Sequence, residues 1–226
     1  DEPEPKALPH LDYKIVVGNS LVSKLDDTII DIDWSLVAED AVETDLFGKP
    51  KPKQFNAFET ETIDKQKLLL KQIAEKQIEV FDPISDEAKL SLEIRNLKID
   101  LLCEQLRLMI VRQNIQKEPK IGDYQNKTKA KFVQDQAKYF ETLGWEQQRT
   151  KLQRLKRQSD EPLHYFDWKL DFPEIMSEEV AKKFKRKVGF DIVIANPPYV
   201  DIKALPKNDV RIYFEKFITT ENRINL

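Results

Sequence analysis

Apolar positions recur every three or four residues between residues 58 and about 157, and this period predicts amphipathic α-helices through the middle of the chain. Asn56 can cap the first of these helices, and Glu59 follows it at the spacing of a capping box. This helix is expected to end near Val80, because Pro83 cannot continue it.

Two further helices with the same period follow. Ser85 or Asp86 can cap the second helix, which is expected to end before Pro119. Its apolar stripe consists of Leu90, Ile94, Leu97, Leu101, Met109 and Ile110. The third helix is predicted to begin near Thr128 and to resume after a break at Gly144. Three long helices joined by short breaks indicate an antiparallel bundle or a paired helical arm, in which the apolar stripes form an ordinary core.

Shorter elements are predicted ahead of the helices. The apolar, β-branched run 11–17 (LDYKIVV) predicts a strand, and the following Gly18–Ser20 predicts a turn. Pro50 and Pro52 stand among lysines and indicate a loop. Residues 1–57 are therefore expected to form a segment distinct from the helical segment 58–160.

The chain changes character again after residue 160, where aromatic side chains become dense. They are His164, Tyr165, Phe166, Trp168 and Phe172. Ser177 can cap a short helix whose basic last turn precedes Gly189. The apolar run 190–195 (FDIVIA) predicts a strand buried on both faces, as in a parallel sheet. Residues 161–226 are expected to form a third segment.

With 40% hydrophobic residues, the 226-residue chain can form a core, which excludes a wholly disordered protein.

The balance of charge excludes a general attraction to polyanions. The chain carries 37 Lys and Arg against 40 Asp and Glu, a net charge of −3. Residues 1–64 contain 15 acidic and 6 basic side chains, a net charge of −9 that leaves +6 for the rest. Any contact with nucleic acid must therefore come from local basic patches.

Cysteine use and hydropathy point to the cytoplasm. The single Cys103 cannot form an intrachain disulfide, and no targeting segment is recognisable at the start. No run of about 18 apolar residues predicts a membrane span. The chain begins at Asp1 without a methionine, and we interpret it as a piece of a longer protein.

Few residues are available to hold a cofactor or a metal ion. The five glycines lie far apart, so the chain has no glycine-rich turn of the kind that holds nucleotide cofactors. His10, His164 and Cys103 are too scattered for a zinc site, and no metal site is predicted. Glu87 and Lys89 have the spacing of many Mg²⁺-dependent nucleases but lie at a predicted helix start. Mg²⁺ is therefore expected only for a nuclease outside this chain.

The candidate chemistry lies directly after the second predicted strand, in Asn196, Pro197, Pro198 and Tyr199. Open α/β sheets bind their ligands at the carboxyl ends of strands. The Asn196 side-chain oxygen and the Pro197 carbonyl can accept the hydrogens of a planar amine, whose delocalised lone pair makes it a poor nucleophile. The prolines make this edge rigid, and Tyr199 offers a ring on which an extruded base can stack. The motif therefore predicts methyl transfer to an amino group.

This region resembles a known enzyme family. The run FDIVIANPPYV is similar to the catalytic motif of γ-class adenine-N6 DNA methyltransferases. The wider context, DWKLDFPEI ahead of GFDIVIANPPY, resembles type IIG (also called type IIS) restriction-modification enzymes and the methyltransferases of phage-exclusion systems. Near the start, LDYKIVVGNSL resembles the segment that those enzymes place before a helical insertion.

The resemblance implies an α/β fold with a Rossmann-like methyltransferase sheet, S-adenosylmethionine as cofactor and double-stranded DNA with a flipped adenine as substrate. It places Asn196, Pro197, Pro198 and Tyr199 at the target base, and Asn19 at the adenine of the cofactor. The glycine-rich loop and the ribose-binding acidic residue of the family are missing from this chain. The sheet is therefore expected to be incomplete, and this chain alone is expected neither to bind the cofactor nor to be active.

Two basic clusters are candidates for contacts with DNA phosphates. Arg154 and Arg157 lie near the end of the third predicted helix, and Lys182, Lys185 and Arg186 precede the second predicted strand. The prediction is thus part of an adenine-N6 DNA methyltransferase within a restriction-modification enzyme. Two alternatives stay open: a non-catalytic helical module that binds DNA or another subunit, and a glutamine-N5 protein methyltransferase. The exposed strands of an incomplete sheet would also permit self-association.

Overall fold

The computed structural model describes residues 15–20, 22–32, 34, 42–44, 50–52, 55–80, 84–115, 117–124, 129–176 and 187–194. This part of the chain divides into two compact units. The helical unit comprises the described residues between 32 and 163, and the mixed unit comprises those between 15 and 31 together with those between 164 and 194. Helices dominate the described residues, in agreement with the prediction from the hydrophobic pattern.

Helix α1 (Ala57–Glu79) opens the bundle of the helical unit. Its predicted capping box is confirmed, because the side chain of Asn56 accepts from Glu59 N at 2.9 Å and the Glu59 carboxylate accepts from Asn56 N at 3.1 Å. The buried residues recur every three or four positions, as an amphipathic helix requires. They are Thr62, Ile63, Gln66, Leu69, Ile73 and Gln77.

Helix α2 (Glu87–Gln113) also begins where the sequence predicts. The Asp86 side chain caps it by accepting from Lys89 N at 3.1 Å. The helix ends at Asn114, whose φ of 53° is left-handed, a conformation that asparagine tolerates better than most residues. The spacing of Glu87 and Lys89 thus belongs to a first helical turn.

Helix α3 (Lys129–Leu155) is continuous, so the predicted break at Gly144 is wrong. A glycine inside a helix costs only about 1 kcal/mol relative to alanine, and packing on either side can offset that cost. Trp145 and Leu152 supply this packing, since both are buried on the face that meets the bundle. A 3₁₀ turn at Ile121–Tyr124 lies between α2 and α3.

Neighbouring helices of the bundle are antiparallel, as their polar contacts show. Towards the start of α1, Arg112 Nε lies 3.0 Å from Glu59 Oε1, and towards its end Lys76 pairs with Glu93. The start of α1 therefore contacts the end of α2, and the end of α1 contacts the first part of α2. The same holds for α2 and α3, where Gln113 donates to Glu141 at 2.7 Å and Lys156 Nζ lies 2.7 Å from Asp100 Oδ2. Each helix is therefore antiparallel to the next one, while the sequence analysis left open an antiparallel bundle or a paired helical arm.

The core of the helical unit centres on α2, which packs against both of its neighbours. Its middle is buried on all sides, and the side chains exposed by 1% or less there are Ile99, Leu101, Leu102, Leu106 and Leu108. A buried polar pair also crosses the bundle, since Gln66 Nε2 donates to Gln105 Oε1 at 2.8 Å. Because each amide satisfies the other, this pair avoids part of the cost of burying polar atoms.

The helical unit also contains a short hairpin, β3 (Val42–Thr44) paired with β4 (Pro50–Pro52). The prediction of a loop at Pro50 and Pro52 is therefore wrong. Proline is tolerated on an edge strand, because its missing N–H can face away from the neighbouring strand and then removes no hydrogen bond of the sheet. In β4 only Lys51 can donate from the backbone, and it lies opposite Glu43.

The mixed unit contains a second hairpin, in which β1 (Lys24–Leu25) pairs with β2 (Thr28–Ile29) across a turn where Asp26 has a φ of 52°. Two short helices follow in the sequence of this unit, α4 (Trp168–Asp171) and α5 (Pro173–Met176). The buried apolar side chains of the unit are Val22, Leu25, Ile30, Tyr165, Phe166 and Leu170.

The two predicted sheet strands are wrong for the residues that are described. Residues 15–17 and 190–194 are not strands, and the exposure of Ile192, Val193 and Ile194 is 78%, 75% and 93%. A strand buried on both faces needs a neighbour on each side. The strands among the described residues form two-stranded hairpins that do not include either segment.

The predicted helix 177–187 lies almost wholly outside the described residues. In the part of the chain that the structure describes, no helix is long and apolar enough to cross a bilayer.

Candidate functional site

Four aromatic side chains of the mixed unit form a cluster directly ahead of the predicted catalytic motif. This aromatic cluster consists of Phe166, Trp168, Phe172 and Phe190. Trp168 lies at its centre, with its ring centroid 4.9 Å from that of Phe166 and 5.7 Å from that of Phe190. The Phe172 ring is 5.5 Å from Phe190 and edge-on to it, a favourable arrangement for aromatic pairs. The cluster thus fixes the start of the segment that leads to Asn196.

The predicted catalytic residues, Asn196, Pro197, Pro198 and Tyr199, lie outside the described residues, which end two positions earlier at Ile194. Gly189 N donates to Ile175 O at 3.0 Å and anchors the segment just before Phe190.

The turn at Gly18–Ser20 packs against the aromatic cluster. A Cβ on Gly18 would lie 2.1 Å from Phe166 Cβ, so the close approach of the two backbones requires glycine here. Trp168 Nε1 donates to Ser20 O at 2.8 Å and holds the other end of the turn. Asn19 lies between these two contacts and is exposed, with its Oδ1 accepting from Val22 N at 3.1 Å.

Asp167 connects the same two stretches of sequence. It caps α4, where its Oδ1 accepts from Lys169 N at 2.9 Å and from Leu170 N at 3.0 Å. Its other oxygen accepts from Ser23 Oγ at 3.3 Å. Asp167 N in turn donates to Asp171 Oδ2 at 2.9 Å. Each polar atom of this buried residue thus contributes either to the helix or to the attachment of residues 18–30.

Tyr165 provides a further attachment, because its hydroxyl donates to Ile30 O at 2.8 Å. Burial raises the pKa of Tyr165 well above its ordinary value, so the hydroxyl keeps its proton and remains a donor. Residues 165–172 and 18–30 therefore form one packed unit.

The described residues do not form a complete site for S-adenosylmethionine. Asn19 presents one side-chain amide that suits the amino group of an adenine ring. The space next to Gly18 is filled by Phe166, and the remaining described glycines stand singly. No described turn could hold the rest of a nucleoside in the way that a glycine-rich loop does.

Cys103 belongs to the core of the helical unit and is not part of a candidate site. Burial raises the pKa of the Cys103 thiol to about 11, and its Sγ donates to Arg149 O at 3.9 Å. It is therefore a protonated core residue at neutral pH. Among the described residues, no group of three or more His, Cys, Asp or Glu side chains could hold a metal ion.

One of the two basic clusters can be placed. Arg154 and Arg157 are exposed at the end of α3, whereas Lys182, Lys185 and Arg186 lie outside the described residues. A surface groove of about 380 Å³ runs along the same helix. It is lined by Leu143, Glu146, Gln147, Thr150, Lys151 and Arg154.

The attachment of the Gly18–Ser20 turn to Trp168 is not predicted from the sequence. The dense aromatic residues are visible there and predict packing, but the donor and acceptor of this hydrogen bond are 148 positions apart. The local sequence offers one signal: Asp167 precedes Trp168 at a position where an aspartate can cap a short helix.

Comparisons with known proteins agree with the sequence motifs. Residues 55–226 match the model of a protein family described as "Eco57I restriction-modification methylase". A protein of Methanocaldococcus jannaschii, named "Putative type II restriction enzyme and methyltransferase", is 24% identical over 209 residues. The match covers 90% of this chain but 16% of that protein, so the chain spans a small part of its relative's length. No solved structure matches the chain.

Proposed function

The chain belongs to the Eco57I restriction-modification methylase family, and from this premise we propose that it is part of an S-adenosylmethionine-dependent DNA methyltransferase acting on the N6 amine of adenine. The family supports the coarser statement, a DNA methylase of a restriction-modification protein. The observation that carries the finer statement is the sequence of residues 196–199, Asn-Pro-Pro-Tyr, directly after an apolar run.

The residue types of this motif suit the target amine. The lone pair of the adenine N6 amine is delocalised into the ring, which makes it a poor nucleophile. In the proposal, Asn196 Oδ1 and the Pro197 carbonyl accept the two hydrogens and favour a tetrahedral nitrogen. Such fixed polar groups act best when they do not have to reorganise during the reaction. Pro197 and Pro198 provide this rigidity because their rings restrict φ.

Tyr199 completes the proposed site for the base. An adenine inside a duplex is inaccessible, so an enzyme that acts on it must extrude the nucleotide into a pocket. The Tyr199 ring offers a face on which the extruded base can stack. Asn19, exposed on its turn, is the proposed contact for the adenine of the methyl donor.

Binding of S-adenosylmethionine should depend on residues outside this chain. We expect no measurable binding to residues 1–226 alone and clear saturable binding to the whole gene product, because the described residues lack a complete cofactor site. Equilibrium dialysis with labelled S-adenosylmethionine on both proteins measures this difference. Tight binding to the chain alone would contradict our interpretation of the space next to Gly18.

The exposed basic end of α3 is a proposed contact for DNA phosphates. Residues 144–158 contain five basic side chains and one acidic side chain, against a net charge of −3 for the whole chain. Arg95 Nη2 donates to Leu155 O at 2.8 Å and to Gln158 O at 2.9 Å, which fixes the end of the helix that carries Arg154 and Arg157. Cations held in place in this way can neutralise phosphates and release counterions.

Charge reversal at this end should flatten the salt dependence of DNA binding. In the whole gene product, Arg154→Glu together with Arg157→Glu is expected to lower the slope of log K against log salt by about 2, one per lost phosphate contact. Reversal of Lys185 and Arg186 tests the second cluster in the same way. The matched control is Lys71→Glu, on the exposed face of α1. If the Arg154 and Arg157 double variant keeps the slope of the control, this end of α3 does not contact DNA.

A further inference from the structure

We propose that Trp168 is a positioning residue that holds the Gly18–Ser20 turn in place for the methyl donor. This inference rests on the proposed function, because it concerns the turn that carries Asn19. Nothing in the sequence motifs assigns Trp168 a role. It lies outside both the turn and the motif at 196–199, and it acts only through other residues.

The first support is the hydrogen bond from the indole to the turn. Trp168 Nε1 donates to Ser20 O at 2.8 Å, one residue beyond Asn19. Ser20 is exposed, so its carbonyl could otherwise hydrogen-bond to water. The indole N–H thus restricts a backbone that solvent alone would leave freer. On the other side of Asn19, the contact between Gly18 and Phe166 restricts the turn sterically.

The second support is that the same ring contacts the start of the segment leading to Asn196. The ring centroids of Trp168 and Phe190 are 5.7 Å apart and their planes are inclined by 74°. One side chain therefore contacts both the turn that carries Asn19 and Phe190, which lies six residues before Asn196 in the sequence.

The third support is the exposure of Trp168 itself. It is 39% exposed, whereas Tyr165 and Leu170, which form the core beside it, are 5% and 1% exposed. A tryptophan whose main role is core stability would bury more of its ring. Within the aromatic cluster, Trp168 is the member whose ring carries a hydrogen-bond donor, and that donor contacts the turn.

The test is Trp168→Phe in the whole gene product, which removes the N–H and keeps an aromatic ring. Initial rates of methyl transfer to DNA are measured over a range of S-adenosylmethionine concentrations. We expect KM for S-adenosylmethionine to rise about five- to tenfold, in line with the loss of one hydrogen bond, while kcat stays within about twofold. DNA affinity should stay unchanged, and the midpoint of thermal unfolding should fall by no more than about 4 °C, as expected for the loss of one hydrogen bond.

The matched control is Trp145→Phe, the same substitution at a buried residue of α3, for which KM should not change. Trp168→Ala removes the ring as well and should raise KM further. An active wild type whose KM is unchanged by Trp168→Phe would overturn the positioning role. A wild type that transfers no methyl group would instead overturn the proposed function, and the role of Trp168 with it.

Discussion

Replacing Asn196 with alanine in the whole gene product is expected to abolish methyl transfer to DNA while leaving DNA affinity largely intact. The substitution removes one of the two acceptors that would bind the hydrogens of the adenine N6 amine. Removal of a single preorganised polar group at a reacting centre commonly costs about 100- to 1,000-fold in rate. The rate should therefore fall by at least that factor. Transfer of tritium from methyl-labelled S-adenosylmethionine to duplex DNA measures it.

The matched control is Gln153→Ala, which removes an exposed amide of α3 away from the motif and should retain full activity. Full activity in Asn196→Ala would remove the catalytic assignment of the motif. The same assay separates the alternatives. Label in glutamine of a protein substrate would indicate a protein methyltransferase. A wild type that binds DNA and transfers no label would indicate a helical module without catalysis.

Truncation of Leu106 to alanine should destabilise the helical unit by about 2–5 kcal/mol, the usual range for a large side chain removed from a close-packed core. Leu106 is completely buried on α2, the helix that packs against both of its neighbours. The cavity would therefore lie in the part of the core least able to collapse around it. Urea unfolding of the chain, followed by the helical circular dichroism signal, measures the loss.

Leu68→Ala is the matched control, because Leu68 lies on α1 and is 56% exposed. An exposed position of this kind usually changes stability by no more than about 0.5 kcal/mol. Equal losses for the two variants at an unchanged denaturant slope would show that α2 is not the centre of the core.

The helices could be predicted from the sequence because their determinants are local. Asn56 and Glu59 form their capping box within one turn, and Asp86 caps α2 in the same way. The apolar period then predicts a helix, but it does not give the buried residues of α2, whose middle is buried on all sides. The false break at Gly144 shows the limit of this reasoning, since the burial of Trp145 beside the glycine depends on the folded unit and not on the local sequence.

The apolar segments 15–17 and 190–194 could not be predicted correctly because a strand requires a partner. Alternating apolar and polar residues and β-branched side chains indicate that a segment suits burial in a sheet. They do not indicate whether a neighbouring strand is present. Pro50 and Pro52 illustrate the opposite case, where residues typical of a loop form an edge strand opposite 42–44.

Residues of the candidate site could be proposed from the sequence only where their signal is contiguous. The motif at 196–199 can be recognised in four adjacent residues, and Asn19 follows from a short stretch around it. The hydrogen bond between Trp168 and Ser20, and that between Asp167 and Ser23, join positions 148 and 144 residues apart. Contacts of that range depend on the folded chain, and no local pattern specifies them.

The alternation of three antiparallel helices has a geometric consequence. Because the number of antiparallel helices is odd, the start of α1 and the end of α3 lie at opposite ends of the bundle. At 1.5 Å per residue, the 23 residues of α1 correspond to about 35 Å. Adding one turn to each of the three helices would therefore move these two helix ends about 5 Å further apart.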